Sequence, residues 1–238
     1  MCNLYSMTSN QQAIAALARI LKPVTTNLPL FEYIGGNGFG PIVRNTLEGR
    51  ELAMCRWGMP SPESALKGKN YDSGVTNIRY TTKPYWKPWL TDISARCLVP
   101  FTSFSEPDQA SGSNVIHWFA ETAERPLMFF AGIWAPAVTS VRLVREGPTT
   151  NDLYGFLTTD ANAEVKAIHP KAMPVILRSE EERELWMTGT WEEVQHLQRP
   201  LPDGSLTVVA TGRRKDGAHL DETAESVAPV APAQGDLF

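Results

Sequence analysis

The hydrophobic positions of this chain fall into short runs of β-branched and aromatic residues, separated by turn residues. Such runs are typical of the short antiparallel strands of a barrel or sandwich. The strands are predicted over residues 51–57, 96–104, 115–121, 127–134, 153–159, 173–177 and 206–210. Residues 28–41 are instead rich in glycine and interrupted by Pro29, which predicts an irregular loop.

Helical periodicity is limited to a few short segments. Residues 8–21 carry apolar residues at helical spacing, with Thr8 or Ser9 as the N-cap, and predict an amphipathic helix. Another short helix is predicted from Thr159 or Asp160 through position 165. The capping boxes of two later helices pair Ser179 with Glu182 and Thr190 with Glu193. These patterns together predict an α+β fold with a mainly antiparallel β-barrel or sandwich core and peripheral helices.

Composition divides the chain into a body and a tail. The 238 residues are 42% hydrophobic, which is enough for one large domain. After residue 214 the sequence becomes rich in alanine, proline and acidic residues, with one lysine against five acids over residues 215–238. Such a segment buries too little apolar area to order itself. We therefore predict one domain over residues 1–214 and a disordered acidic tail over residues 215–238.

Several protein classes are excluded by the sequence. No apolar run approaches the roughly 20 residues of a membrane span, and the first residues lack the basic and apolar regions of a secretory signal. The three cysteines, Cys2, Cys55 and Cys97, are too few for a disulfide framework. A cytoplasmic protein is expected.

One segment of the otherwise neutral body is positively charged. Residues 67–96 hold six basic residues against two acidic ones, and five tyrosines and tryptophans lie between them. Because cations neutralise phosphates and aromatic rings stack on unpaired bases, this mixture favours single-stranded nucleic acid. The same composition also fits a solvated loop whose aromatic residues fill the core.

Cys2 has the most unusual chemistry in the sequence. Loss of the initiator Met1, which is usual before a small side chain, would leave an N-terminal cysteine. An α-amine and a thiol have ordinary pKa values of about 8 and about 8.5, so both are usable nucleophiles near neutral pH. The amine forms a Schiff base with an aldehyde, and the thiol then closes a thiazolidine ring. The alternative interpretation is a small buried hydrophobic residue.

Motifs for metals and nucleotides are absent from the sequence. The four histidines lack metal-binding spacing, and Cys55 and Cys97 lie far apart. The glycines of residues 35–38 lack the lysine and the flanking elements of a nucleotide loop, and no GxSxG elbow is present. No cofactor and no metal are expected.

Several segments of the chain, taken in order and spacing, resemble those of one protein family. They are the Cys at position 2, CRWGMPSP (55–62), TNIR (76–79), RCLVPFTSFSEP (96–107), AGIW (131–134) and TTDANAEVKAIHPKAMPVIL (158–177). The chain thereby resembles the SOS response-associated peptidase (SRAP) family over about residues 2–210. Members of that family protect abasic sites in single-stranded DNA.

The resemblance implies a covalent DNA–protein crosslink, formed when Cys2, exposed by autocatalytic removal of Met1, traps the aldehyde of an abasic deoxyribose. By position, Asn77 would bind near the Cys2 main chain or the sugar. Glu106 would deprotonate the α-ammonium or activate water for Met1 removal, and His169 would protonate the departing sugar oxygen during ring opening. The family name also records a peptidase activity, which is best understood as this self-processing. DNA contacts are expected at Arg79, Met173 and Pro174, and also at Trp57, for which a core position at the end of a strand is the alternative.

The sequence also departs from the family pattern. Many relatives begin MCGR where this chain begins MCNLY. Thr81 stands where the family has an acidic residue, and Pro107 follows the glutamate where a tryptophan is frequent. Residues 35–40 replace a loop that usually contains proline. These departures concern the path of the DNA strand more than the chemistry.

The last five residues indicate a second partner. They read QGDLF and resemble the pentapeptide that binds the bacterial sliding clamp, with Gln234, Leu237 and Phe238 as the contacts. Chance similarity is the alternative, because the motif is short and Gly235 replaces the usual leucine.

The expected partners are therefore single-stranded DNA with abasic sites and the sliding clamp, without a membrane, for a nucleoid-associated monomer. Two other functions stay open on the sequence. One is a noncovalent adaptor for single-stranded DNA that its tail recruits. The other is a thiol peptidase that acts on other proteins through Cys2 or Cys97.

Overall fold

Strands dominate the architecture, and the computed structural model describes residues 2–21 and 27–218. The strands are β1 (Leu4–Met7), β2 (Phe31–Gly35), β3 (Phe39–Thr46), β4 (Gly49–Trp57), β5 (Asn77–Ile78), β6 (Arg96–Phe101), β7 (Ser103–Pro107), β8 (Ile116–Ala120), β9 (Met128–Val141), β10 (Pro148–Thr159), β11 (Met173–Pro174), β12 (Ile176–Leu177) and β13 (Thr207–Thr211). The helices are α1 (Gln11–Leu17), α2 (Glu63–Leu66), α3 (Lys87–Thr91), α4 (Ala163–Lys166), α5 (Glu180–Thr188) and α6 (Trp191–Val194). Single 3₁₀ turns cover Pro84–Trp86, Ile93–Ala95, Val144–Glu146 and Gln195–Leu197.

Five strands close into a barrel. β10, β4, β3, β6 and β9 are hydrogen-bonded in that order, and β9 pairs again with β10 to complete the ring. These pairings are antiparallel, except that β4 and β10 run parallel. Closure leaves the ring without an open edge. The short strands β5 and β11 add to β10, and β12 adds to β9.

A second sheet has the order β13-β8-β7-β1-β2. β1 is therefore an inner strand, antiparallel to both of its neighbours. The Tyr5 ring of β1 makes edge contacts with barrel residues Trp57, Phe130 and Phe156, at centroid distances of 5.3, 5.8 and 6.1 Å. These contacts bury the start of the chain between the sheet and the barrel.

The predicted fold class is confirmed: the protein is α+β, with a closed five-stranded barrel, an additional sheet and few peripheral helices. The two predicted capping boxes are also present. The side chains of Ser179 and Thr190 accept hydrogen bonds from backbone N–H groups at the starts of α5 and α6. The glutamate side chain of each pair accepts a hydrogen bond from the backbone N–H of its serine or threonine. Both motifs are local in sequence, which is why they could be identified from it.

The loop predicted over residues 28–41 was wrong, because this segment forms β2 and the start of β3. A tight turn containing Asn37, at φ 65°, joins the two strands. Position 40 must be glycine, since a Cβ there would lie 2.6 Å from the hydroxyl oxygens of both Tyr5 and Tyr154. The glycine content of the segment thus reflects close packing and not an irregular backbone.

Two predicted helix starts are displaced. The helix over residues 8–21 begins after Asn10, whose side chain accepts a backbone N–H of the first turn at 2.9 Å, and it ends at Leu17. β10 continues through Thr159, so the N-cap of α4 is Asn162 and not a residue just after the strand. Thr159, which the local sequence predicted as a helix N-cap, is therefore the last residue of the strand.

Two predicted strands each divide in two because the chain changes partners. Residues 96–104 leave the barrel at Thr102 and continue as β7 in the second sheet. Residues 173–177 change partner at Val175, which donates to the carbonyl of Leu157 on β10 and accepts from Ala131 on β9.

The first residues of the predicted tail pack on the domain. Asp216 is 1% exposed and accepts a hydrogen bond from the Ser103 hydroxyl at 2.7 Å. The described part of the chain thus continues through residue 218, beyond the predicted boundary, and the rest of the predicted tail lies outside the described residues. Within residues 2–21 and 27–218, no helix combines the length and the apolar character that a bilayer crossing requires.

Candidate active site

The candidate site is built around Cys2, which is fully buried. Strand β1 begins two residues later, and its pairing with β2 and β7 fixes the start of the chain. The Cys2 thiol donates to the carbonyl of Leu4 at 3.3 Å. Burial raises the pKa of this thiol well above its ordinary value, and the nearby Glu106 carboxylate raises it further.

Asn77 holds the Cys2 main chain. Its amide nitrogen donates to the Cys2 carbonyl at 2.8 Å and to the Thr76 hydroxyl at 2.9 Å. Asn77 is positioned by strand β5, which runs parallel to β10 with Asn77 opposite Phe156. The indole nitrogen of Trp57 donates to the carbonyl of Thr76 at 3.1 Å, so the residue before the asparagine is also fixed.

Glu106 lies on β7, the strand next to β1, and its side chain is fully buried. Burial disfavours the charged carboxylate and raises the pKa of Glu106 from 4.5 to about 7. A carboxyl group with such a pKa is present in both protonation states at neutral pH. It can therefore donate or accept a proton without a large energetic cost.

His169 completes the cluster from the other side. It follows α4, where its backbone N–H donates to the carbonyl of Val165 at 2.6 Å. Its Nδ1 lies 3.8 Å from Oε2 of Glu106, and both side chains are fully buried. Burial lowers the pKa of the imidazole, so the neutral form is favoured.

The segments that carry these two groups are tied together. The carbonyl of Ile168 accepts hydrogen bonds from the backbone N–H groups of Gln109 and Ala110, both at 3.0 Å. These residues lie two and three positions after the end of β7, so the bonds connect the strand of Glu106 to the residue before His169. The acid–base pair is therefore held by main-chain contacts on both sides.

The structure thus brings together the four residues predicted to be catalytic: Cys2, Asn77, Glu106 and His169. They come from four separate segments of the chain, and all four side chains are buried. A nucleophile, an amide that holds its main chain, and two groups able to transfer protons are the parts that capture of an aldehyde requires.

Arg79 lies two residues after Asn77, at the edge of this cluster. Its guanidinium group forms an ion pair with Asp160, whose side chain is 82% exposed. Backbone contacts fix this part of the chain, since Gln198 donates to the carbonyl of Arg79 at 2.9 Å. The Arg79 side chain itself is 26% exposed, so solvent reaches part of it.

Trp57 does not have the surface position that base stacking requires. Its ring is fully buried and packs against Tyr154, Phe156 and Tyr5 in the core. No face of the indole is open to a base. The predicted base stacking by Trp57 therefore finds no exposed ring in this structure, where the side chain occupies the alternative core position.

Met173 and Pro174 are likewise buried. They form β11, paired with Thr159 and Thr158 of β10, and the Met173 sulfur accepts the backbone N–H of Asn162 at 3.4 Å. Direct DNA contact by these two residues is not available in this structure. Met173 thereby contacts the N-cap residue of α4, the short helix that precedes His169.

Sequence reasoning missed a buried hydroxyl pair. The phenol oxygens of Tyr5 and Tyr154 are 2.5 Å apart, and both rings are fully buried. This bond joins β1 to the barrel three residues after Cys2. Both hydroxyls also approach Gly40 closely, but no sequence pattern reveals that these three residues meet.

Two further expectations concern a metal site and the sliding clamp. Within the described residues, no three His, Cys, Asp or Glu side chains form a group that could hold a metal ion. The predicted clamp contacts Gln234, Leu237 and Phe238 lie outside the described residues.

Comparisons with solved structures identify the fold. An X-ray structure of a protein from Bordetella bronchiseptica has 22% sequence identity and a TM-score of 0.66, and covers 89% of this chain and 100% of its own. One from Bacteroides thetaiotaomicron has 22% identity and a TM-score of 0.65, with coverages of 87% and 90%. A phage-related protein from Bordetella bronchiseptica has 17% identity and a TM-score of 0.60, with coverages of 87% and 92%. No curated protein matches the chain.

A family profile covers the whole of the predicted domain. The profile described as SOS response associated peptidase (SRAP) matches residues 1–214. This match spans the barrel, the second sheet and all four residues of the buried cluster. The chain accordingly belongs to the SOS response-associated peptidase family.

Proposed function

We propose that this protein protects abasic sites in single-stranded DNA by forming a covalent thiazolidine through Cys2 after its own removal of Met1. One arrangement carries the proposal. The amide of Asn77 lies 2.8 Å from the Cys2 carbonyl, beside a buried Glu106–His169 pair with 3.8 Å between Nδ1 and Oε2. These groups surround the residue that becomes the N-terminus once Met1 is hydrolysed off.

Removal of Met1 consumes one water molecule and releases methionine. The ionised carboxylate of Glu106 is the group that would accept a proton from this water, because its pKa of about 7 leaves part of it ionised at neutral pH. The Asn77 bond holds the Cys2 main chain during the step. The product is a cysteine with a free α-amine.

The crosslink then forms in three steps, which are opening of the sugar, imine formation and closure of the thiazolidine ring. The closed sugar opens when a proton reaches the ring oxygen and another leaves the anomeric hydroxyl, which gives the aldehyde. The α-amine adds to the aldehyde carbon and loses one water to form an imine. The thiol sulfur adds to the imine carbon, and its proton passes to the nitrogen. The net change is a C–N bond, a C–S bond and the loss of one water.

The perturbed pKa values assign the proton transfers. Protonated Glu106 is the donor for the ring oxygen and for the departing hydroxyl, because burial keeps half of it protonated near pH 7. The sequence led us to expect His169 as the donor to the sugar oxygen, but burial lowers its pKa and favours the neutral imidazole, so the proposal makes His169 the proton acceptor instead. Burial keeps the Cys2 thiol protonated, and the thiolate is the nucleophile, so ring closure requires the thiol proton to leave as the C–S bond forms, with the imine nitrogen as its acceptor.

Denaturing gel electrophoresis tests the proposal. The wild-type protein with an abasic oligonucleotide is expected to give a shifted band, and its intact mass should be the sum of the two components minus one water. Cys2→Ala should give no band. Cys55→Ala is the matched control, since it removes another buried thiol and should leave the band intact.

Cys2→Ser separates the two bond-forming steps, because its amine can form the imine but its hydroxyl is a poor nucleophile for ring closure. An adduct that survives only after borohydride reduction is expected for this variant. DNA binding without any covalent band in the wild type would instead support a noncovalent adaptor. Specific cleavage of foreign peptides would support a thiol peptidase.

A further inference from the structure

Tyr80 is the most exposed aromatic side chain among the described residues, at 64%. It directly follows Arg79 and lies three residues after Asn77, which holds Cys2. Three residues span at most about 11 Å. The ring therefore lies within a few nucleotide lengths of the position that a lesion bound at Cys2 would occupy.

The backbone at Tyr80 is fixed on both sides. The side chain of Gln198 donates to the carbonyl of Arg79 at 2.9 Å and to that of Thr158 at 3.0 Å. The hydroxyl of Thr81 donates to the Gln198 side-chain oxygen at 2.6 Å. One glutamine thus fastens the residues before and after Tyr80 to strand β10, and the exposed ring stands on an ordered support.

A cation lies over the same ring. The backbone N–H of Lys83 donates to the carbonyl of Tyr80 at 3.1 Å, which closes a turn. This turn places the Lys83 ammonium 5.2 Å from the Tyr80 ring centroid. An aromatic face with a nearby positive charge is the combination that binds an unpaired base and its phosphate.

We propose that Tyr80 is the stacking platform for a base flanking the abasic site, with Lys83 contacting the adjacent phosphate. The inference rests on the proposed function only for its choice of lesion. An abasic nucleotide has no base of its own to recognise, so stacking must come from its neighbours. Because bases in a duplex have no free face, the platform selects single strands.

Fluorescence anisotropy with an unmodified oligothymidylate tests the platform without the crosslink, since this DNA carries no aldehyde. Tyr80→Ala is expected to weaken binding by about 5- to 150-fold, the range measured for loss of one base–aromatic stack. Tyr80→Phe should bind within about twofold of the wild type. Tyr80→Leu keeps a large apolar side chain without an aromatic face and should weaken binding as alanine does.

Tyr33 provides the matched control. It is 39% exposed, and the guanidinium of Arg214 lies 5.2 Å from its ring centroid, the same distance as at Tyr80. Tyr33→Ala should leave the affinity unchanged. Lys83→Gln should reduce the slope of log affinity against log salt by about 0.7, the value for one phosphate contact on a single strand.

The proposal is overturned if Tyr80→Ala binds as tightly as the wild type, or if Tyr33→Ala loses as much. Thermal unfolding of each variant establishes that it is folded. The two proposals fail separately: a protein that forms no covalent band but loses DNA affinity in Tyr80→Ala has the platform without the chemistry. A protein that forms the band with unchanged affinity in Tyr80→Ala has the chemistry without the platform.

Discussion

The buried carboxyl of Glu106 makes the stability of this protein depend on pH. The native state keeps the proton up to about pH 7, whereas an exposed glutamate in the unfolded chain releases it near its ordinary value of 4.5. Between these two values the native state binds more protons, so stability falls as pH rises. At about 1.4 kcal/mol for each pKa unit, stability present below pH 4.5 and lost above pH 7 amounts to about 3 kcal/mol.

Glu106→Gln removes this titration while keeping the size of the side chain. Below about pH 4.5 the two proteins should have similar free energies of unfolding, because the side chain at this position is neutral in both the folded and the unfolded state. At about pH 8 the variant should be more stable by about 3 kcal/mol, since it buries no charge. His169 titrates in the opposite sense, because burial lowers its pKa; it is present in both proteins and so largely cancels in the difference.

Urea unfolding at a series of pH values measures this difference, for proteins whose intact masses show the same N-terminus. The expected plot of variant minus wild-type stability rises between about pH 5 and pH 7 and then levels off. A difference that stays flat across this range would refute the reasoning. It would mean that Glu106 has an ordinary pKa in the folded protein and is a poor proton donor at neutral pH.

Three further predictions concern the surroundings of the site. Asp160→Asn frees Arg79 from an exposed ion pair and should raise affinity for single-stranded DNA by up to about fivefold without changing stability, as anisotropy and urea unfolding would show; weaker binding would mean that the aspartate supports the arginine. Asn77→Ala removes the hydrogen bond to the Cys2 carbonyl and should slow the proposed crosslinking by about tenfold in a single-turnover gel assay. An unchanged rate would mean that Asn77 has no positioning role. Tyr154→Phe leaves the buried Tyr5 hydroxyl without its partner and should cost about 1–3 kcal/mol in urea unfolding; replacing both tyrosines by phenylalanine should recover part of that loss.

Local features of the fold were predictable from the sequence, and features set by distant contacts were not. The capping boxes at Ser179 and Thr190 involve residues three apart, so their geometry follows from the sequence pattern. The glycine at position 40 had the opposite outcome. It indicated a loop, but it is explained by two tyrosine hydroxyls that approach it from distant parts of the chain.

The candidate site divides in the same way. The roles of Cys2 and Glu106 followed from the order of family motifs, because no spacing in a single sequence shows that these residues meet. Burial was not readable either: Trp57 is a large aromatic residue at a strand end, and only the closed barrel shows that its ring has no exposed face. Tyr80 is exposed, but the sequence did not distinguish it from the other aromatic side chains of residues 67–96.

The placement of β1 between β2 and β7 has a practical consequence for anyone who expresses this protein. Chain ends usually fray and tolerate additions, but here ladder bonds on both sides hold the polypeptide from Leu4 onward. An affinity tag fused ahead of Cys2 would extend from a fully buried residue, and it would cap the amine on which the proposed aldehyde capture depends. Under the proposed function, protein tagged at the front should form no crosslink until the tag has been cleaved to leave cysteine first.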